Sequence, residues 1–281
     1  MSKDIDNLKR IKCIETDILK AFIDCCKELK LRYFLLGGTL LGAVRHSGFI
    51  PWDDDIDVGM FRKDYQVFLS KAQRILPDYY FVQCLQTEEN QLNNFAKIRD
   101  SRTTFIETSY RNARINHGVY IDVFPLDYYP EGAHEQKLFD RRKKTLSLRI
   151  RREFVIPEEN QSGRLRETVR DIKGLILTLR YPKVRDALLE REKLYISVPR
   201  SNLIANHCGA WGKKEIVPES WYGDGVEGTF EGLSVILPCQ YDKWLTQVYG
   251  NYMDLPPIEK RVPHHYTDII DLDKSYTEYI K

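Results

Sequence analysis

The sequence predicts a mixed α/β protein (α+β in its segregation of elements) whose sheet-bearing body carries an inserted set of basic helices. Three observations lead there. A short apolar strand, Tyr33-Phe34-Leu35-Leu36, stops at Gly37-Gly38, and a helical pattern resumes from Thr39 to Arg45. The segment Asp55-Ile56-Asp57-Val58-Gly59-Met60 alternates polar and apolar residues, as a strand with one wet face does. From Glu135 to about Arg200 the helical period returns together with an excess of Lys and Arg.

Each element follows in order. Ile5, Leu8, Ile11, Ile14, Ile18, Phe22, Cys25 and Leu29 recur every three or four positions, which predicts a long opening helix buried by one face. After the first strand, glycine turn and helix, the loop Gly48-Phe49-Ile50-Pro51-Trp52 leads to the acidic strand. Arg62 to Leu76 reads as a helix, and Tyr80–Leu85, Phe95–Arg99 and Val119–Phe124 as strands. The basic helices are interrupted at Pro157, at Ser162-Gly163 and at Pro182. Beyond them come a strand at Gly232–Leu237, a short helix at Tyr241–Tyr249, and a loop at Met253–Pro257 that its paired prolines keep from being helical. The expected organisation is a core over residues 1–132, an inserted helical segment over 133–200, and a C-terminal part, 201–281, that completes the core.

Composition bounds the function. With 42% hydrophobic residues among 281, the chain has ample material for a packed core, which excludes wholesale disorder. No apolar run approaches the roughly 18 to 20 residues of a membrane span, and the N-terminus lacks the apolar stretch of a signal peptide. A cytoplasmic location is the expectation. A net charge of +2 argues against global attraction to nucleic acid, but the charge is uneven: His134–Arg200 holds 18 Lys and Arg against 10 Asp and Glu. The six cysteines form no CxxC pair and have no His or Cys at zinc-finger spacing, so they read as buried thiols.

The chemistry concentrates in two motifs. A glycine turn opening a helix offers backbone N–H groups and the positive end of the helix dipole to a phosphate, so Gly37, Gly38 and Thr39 are candidate phosphate seats. Asp55 and Asp57, two apart on a strand, point the same way at about 6 to 7 Å, close enough to share hard cations. Mg²⁺ favours one or two carboxylates plus substrate phosphate oxygens, which suits metal-assisted phosphoryl transfer. Asp122, alternating with Ile121 and Val123, is a candidate third acid from a neighbouring strand, whereas Asp127, after Pro125, reads as a turn acid. The combination matches the glycine-turn and Asp-x-Asp pattern of the nucleotidyltransferase fold.

The run from Phe34 to Met60, with Gly37-Gly38-Thr39, Arg45-His46 and Pro51-Trp52-Asp53-Asp54-Asp55-Ile56-Asp57, resembles the signature of the LicD family of phosphocholine transferases. Two further stretches agree: His117 to Asp127, and Tyr249 to Arg261 with His264-His265. The resemblance implies transfer of phosphocholine from CDP-choline onto sugars of teichoic acids, capsules or lipopolysaccharide. It also implies kinship with the fukutin group, which transfers ribitol phosphate, and hence attack on the outer phosphorus with release of CMP. On this reading Asp55, Asp57 and Asp122 are catalytic and hold Mg²⁺ or Mn²⁺, with Asp122 also a candidate for the acceptor's proton. Gly37, Gly38, Thr39, Arg45, Lys97, Arg99 and His117 bind the donor, and Arg261, His264 and His265 form an acceptor-side or lid element. The expected acceptor is a lipid-linked glycan.

Cation-π attraction would hold a choline headgroup on aromatic faces, for which Trp52, Trp211, Trp221 and Tyr120 are candidates. Residues 140–152, with seven cations and apolar Leu146, Leu148 and Ile150, suggest a peripheral contact with the anionic inner face of the cytoplasmic membrane. Alternatives are a glycerol-phosphate or ribitol-phosphate transferase, an antibiotic nucleotidyltransferase, and a non-catalytic glycan-binding protein.

Overall fold

Apolar periodicity sets the first element: α1 (Ser2–Leu29) buries Ile11, Ile18, Leu19, Phe22 and Ile23 along one face. The computed structural model describes residues 2–155, 164–262 and 265–280. Strand β1 (Phe34–Leu35) is followed at once by α2 (Gly37–His46), then β2 (Asp57–Phe61) and α3 (Arg62–Lys71). Strand β2 starts two residues later than the alternation suggests, so Asp55 lies in the preceding loop. Strands β3 (Tyr80–Gln83), β4 (Ala96–Asp100), β5 (Thr104–Glu107) and β6 (Val119–Tyr128) come next.

Strand β6 is the spine of a mixed sheet ordered β1-β2-β6-β4-β3. It runs parallel to β2 and antiparallel to β4. Pro125, expected to end it, stands opposite Met60 instead; proline removes one donor but keeps an extended conformation. Leu126, Asp127 and Tyr128 then pair with β7 (Leu203–Asn206), which pairs with β8 (Ile216–Pro218). Asp127 is therefore a strand residue, and its carboxylate receives Arg62 Nε at 2.7 Å and Nη2 at 2.5 Å. Helix α1 lies against β6 and β4, and the core they share runs from Phe22 through Val58 and Ile121 to Trp244.

Two small antiparallel pairs complete the body: β9 (Val226–Phe230) with β10 (Leu233–Leu237), and β5 with β11 (Thr267–Asp271). Helix α7 (Tyr241–Tyr249) follows β10, and no helix or strand occupies Met253–Pro257.

The basic segment forms α4 (Ala133–Ile150), α5 (Arg164–Arg180) and α6 (Val184–Ile196). Pro182 separates the last two as expected; Pro157 and Ser162-Gly163 lie outside the described residues. Phe139, Leu146, Ile150, Ala187 and Leu188 build a second core with Tyr129 and Ala205 of the sheet side. The apolar residues Leu146 and Ile150 of the 140–152 segment thus face inward, and that segment offers solvent its charge rather than an apolar face. Helix α5 packs on α4. Its Gly174 is buried there, and a Cβ on it would stand 2.9 Å from the Leu148 carbonyl. Its apolar residues Val169, Ile172, Leu175, Ile176 and Leu179 point the other way and are 44% to 86% exposed. Among the described residues no helix is long and apolar enough to cross a membrane.

Candidate active site

Strand register gathers the central residues. Asp57 opens β2 beside Asp122 on β6, Asp122 faces Lys97 on β4, and Lys97 faces Gln83 on β3. Cross-strand partners share a sheet face, so Asp57, Asp122 and Lys97 make one polar row over three adjacent strands. Lys97 Nζ is 2.8 Å from Asp122 Oδ1 and 3.3 Å from the centroid of the Tyr120 ring.

The glycine turn makes room for these acids. Gly37 has φ +53°, and a Cβ there would meet Asp57 Oδ2 at 2.9 Å; a Cβ on Gly38 would meet Asp53 Oδ2 at 2.5 Å. The Thr39 hydroxyl accepts the Asp57 backbone N–H at 2.8 Å, so Thr39 fixes the strand start instead of facing a ligand. Gly37 remains in the wall of the cleft, alongside Asp55, Asp57, Asp122 and Lys97. That cleft holds about 270 Å³ and is also lined by Glu107, Tyr110, Trp211, Glu215, Phe95, Phe124 and His265. A larger cavity of about 500 Å³ lies at the other ends of β2 and β6, where Arg62 and Asp127 already satisfy each other.

The acids are held in an environment that resists their charge. Burial, then Asp55 and Asp122, hold the Asp57 carboxyl well above its ordinary pKa. Burial, then Asp55 and Asp54, push Asp53 up to about 8. Burial raises Asp122 even against Lys97. The carboxylates of Asp53, Asp54 and Asp55 offer oxygens that all lie within 4.8 Å of one another. Glu15, on α1, feels the same three acids; its pKa is raised well above normal, chiefly by burial, and its Oε2 has no hydrogen-bond partner among the described residues. Oxygen donors crowded this way fit a hard divalent cation, whose charge would relieve the repulsion.

Of the cations expected to bind the donor, Lys97 reaches the cleft and Arg45 and Arg99 do not. Arg99 is fully buried behind it, donating to Gln83 Oε1 at 2.7 Å and to the Gly118 carbonyl at 2.8 Å. Arg45 is drawn to the C-terminal loop by the carbonyls of Tyr252 at 2.7 Å and Asp254 at 3.3 Å. His117 is buried in a turn with Nε2 2.9 Å from the Ala113 carbonyl, and burial lowers its pKa. Arg261 donates to the Pro256 carbonyl and covers the ring of Trp52, outside the cleft wall. His265 does enter: its Nδ1 is 3.1 Å from Asp54 Oδ1. Burial opposes its charge, but Asp54, Asp55 and Glu107 carry its pKa up to about 10. His264 lies outside the described residues.

Among the candidate aromatic residues, Trp211 lines the cleft, whereas Tyr120 has its ring engaged by Lys97 and Arg99. Several site residues were not singled out from sequence. Asp53 and Asp54 carried a signal, a run of three aspartates, and so did Glu15, an acid on the apolar stripe of α1. Glu107 and Glu215 carried none. Lys97, His265 and Arg99 hold Glu107 below its ordinary pKa although burial works against this, and burial pushes Glu215 up to about 7.

Comparison with known proteins adds lineage. The family described as LicD/FKTN/FKRP, nucleotidyltransferase domain, matches residues 30–160. The lipopolysaccharide cholinephosphotransferase LicD of Haemophilus influenzae is 31% identical over 266 residues, spanning 92% of this chain and 96% of that protein. Human ribitol 5-phosphate transferase FKRP is 56% identical over 34 residues, which are 12% of this chain and 7% of the relative. Mouse ribitol-5-phosphate transferase FKTN is 28% identical over 120 residues, 42% and 21% of the two chains.

Proposed function

Because the chain belongs to the LicD family of phosphotransferases, we propose that it transfers phosphocholine from CDP-choline to a hydroxyl of a cell-surface glycan precursor, releasing CMP. The observation that carries this reading is the row of Asp57, Asp122 and Lys97 opening into one cleft with Asp55. Asp55, Asp57 and Asp122, with Asp53 and Asp54 beside them, would hold Mg²⁺ or Mn²⁺. When bound, the cation supplies Lewis-acid polarisation of phosphate oxygens and lowers the pKa of a nearby hydroxyl.

The chain's own residues do the rest. Gly37 keeps the cleft wall thin beside Asp57. Asp122, its pKa raised by burial, takes the proton as the acceptor oxygen bonds to the outer phosphorus and the bridging P–O bond breaks toward CMP. Lys97 holds Asp122 in place. His265, protonated at neutral pH, offsets the acids instead of acting as a base. Phe95, Phe124 and Trp211 supply aromatic faces suited to a quaternary ammonium. Choline is favoured on that account over glycerol or ribitol. The name of the Haemophilus relative supports the same headgroup and a lipopolysaccharide acceptor.

The test is CMP release from CDP-choline, CDP-glycerol and CDP-ribitol, each with Mg²⁺ and with EDTA, in the presence of a glycan extract. Metal-dependent CMP from CDP-choline alone is expected. Release from a polyol donor instead would reassign the headgroup, and pyrophosphate release from a nucleoside triphosphate would favour the antibiotic nucleotidyltransferase.

The same reading includes a peripheral contact with an anionic membrane, supported by the exposed cations Arg141, Arg142, Lys144 and Arg152 and by the outward apolar stripe of α5.

A further inference from the structure

We propose that a second, basic groove continuous with the catalytic cleft seats the phosphate of the nucleoside monophosphate that leaves in the transfer. The assignment rests on the donor being a cytidine diphosphate ester. The groove holds about 400 Å³ and shares Phe95, Cys208 and Gly209 with the cleft. Its cations are Lys143 of α4, Arg151 just beyond α4, and Arg191 of α6, and no carboxylate lines it. The cleft is the reverse: five acids, Asp55, Asp57, Glu107, Asp122 and Glu215, against Lys97 and His265.

Lys143, Arg191 and Asn93 have no anionic partner in direct contact among the described residues. The Lys143 amine makes no hydrogen bond or ion pair with the described residues and stands 5.9 Å from the Tyr195 ring centroid. Burial lowers its pKa, outweighing the pull of Cys208, Asp140 and Glu215, none of which pairs with the amine directly. Arg191 donates only to neutral oxygens, Asn94 Oδ1 at 2.5 Å and Ser147 Oγ at 3.3 Å. Asn93 is 93% buried; its Oδ1 accepts from the Tyr110 hydroxyl at 3.0 Å, while its Nδ2 has no partner among the described residues. A buried amide donor beside Lys143 and Arg191, neither ion-paired among the described residues, calls for an anionic acceptor, and a phosphate provides several oxygens at once.

Position selects the phosphate. The arginines expected to bind the donor are committed elsewhere, Arg45 to the C-terminal loop and Arg99 to the interior. As the bridging P–O bond breaks, its electron pair stays with the nucleotide oxygen, so negative charge grows on the departing monophosphate. Lys143, Arg191 and Asn93 stand where that charge can be received, and the acids remain on the cargo side.

The test is calorimetric titration of the full chain, with Mg²⁺, by CMP and by cytidine. The wild type should bind CMP more tightly than cytidine. Lys143→Gln should weaken CMP by about tenfold, the worth of one charge-assisted hydrogen bond, and leave cytidine unchanged, while Lys143→Arg restores CMP binding. Arg191→Gln should act in the same direction, and Lys143 carries the test if that variant unfolds, since its amine makes no hydrogen bond or ion pair with the described residues. Unchanged CMP affinity in a folded Lys143→Gln protein overturns the groove while the donor reading stands. A wild type that binds neither CMP nor CDP-choline overturns the donor reading itself, and the groove with it.

Discussion

Asp57 shows in one side chain how the proposed site would trade stability for chemistry. Its carboxyl is buried among Asp55, Asp122 and Asp53, which hold its folded pKa well above the unfolded value. Its ionisation at neutral pH therefore opposes folding, and an amide at the same position removes the opposition. Asp57→Asn is expected to lower turnover at least a hundredfold, about 2.7 kcal/mol of transition-state stabilisation. The same variant should raise the melting temperature of the metal-free protein by a few degrees, at about 2 to 4 °C per kcal/mol. Turnover assays with differential scanning fluorimetry in EDTA check both, and a variant that is slower yet less stable would deny that repulsion dominates there. Asp127 makes the contrast. Its bidentate partner Arg62 is buried with it, so Asp127→Asn should cost about 3 to 5 kcal/mol, nearer the lower figure because Glu192 Oε1 remains 3.3 Å from Arg62 Nη1. Urea denaturation measures it.

Elements that bury a regular stripe or alternate strictly were legible in the sequence; several strands without such a pattern were not, β9 among them although it pairs with its immediate neighbour. Helix α7 was read residue for residue, because Trp244, Leu245 and Val248 mark one buried face. Strand β5 was missed because its partner β11 lies some 160 residues on, and nothing local marks Thr104–Glu107 as a strand. Strand β7, which pairs with β6 some 75 residues before it, and β8, which pairs with β7, also went unread, and with them the turn that brings Glu215 to the cleft. The site was legible where alternation fixed a face, at Asp57, Lys97 and Asp122, and illegible in depth: Lys97 and Arg99 share a face, yet only Lys97 reaches the cleft. Strand β7 also leads into His207, stacked on Tyr195 at 4.7 Å between α4 and α6. Burial lowers its pKa to about 4. Between that value and about 6.5 the unfolded chain binds a proton that the folded one excludes. Stability from this group is thus complete above pH 6.5 and declines as pH falls toward 4, by up to about 3 kcal/mol. Urea midpoints at pH 7 and pH 4.5 should differ less in His207→Phe than in the wild type; equal differences would mean that His207 titrates normally.

At the scale of the whole molecule, charge and apolar surface are segregated on the helical insert, and this decides which partner its outer face suits. Of the seven cations in residues 140–152, Arg141, Arg142, Lys144 and Arg152 are exposed, and the α5 sequence carries five cations against two acids. The stripe Val169, Ile172, Leu175, Ile176 and Leu179 lies opposite the face of α5 that packs on α4. Two copies meeting by this stripe would bring like-charged helices together, whereas an anionic bilayer accepts both the apolar residues and the cations around them. Each Lys or Arg near such a surface contributes about 1 kcal/mol, and salt screens that part while leaving the apolar part. Burying Ile176 and Leu179 together contributes about 2 to 4 kcal/mol. The protein is therefore expected to sediment with vesicles containing anionic lipid, less so in high salt, and little with neutral vesicles. Replacing Ile176 and Leu179 by Ser should lower the partition coefficient at least tenfold, while turnover of the proposed soluble CDP-alcohol donor stays unchanged because neither residue lines the cleft. Equal sedimentation of the Ser variant and the wild type would remove α5 from the contact and leave only the charges of α4 to account for it.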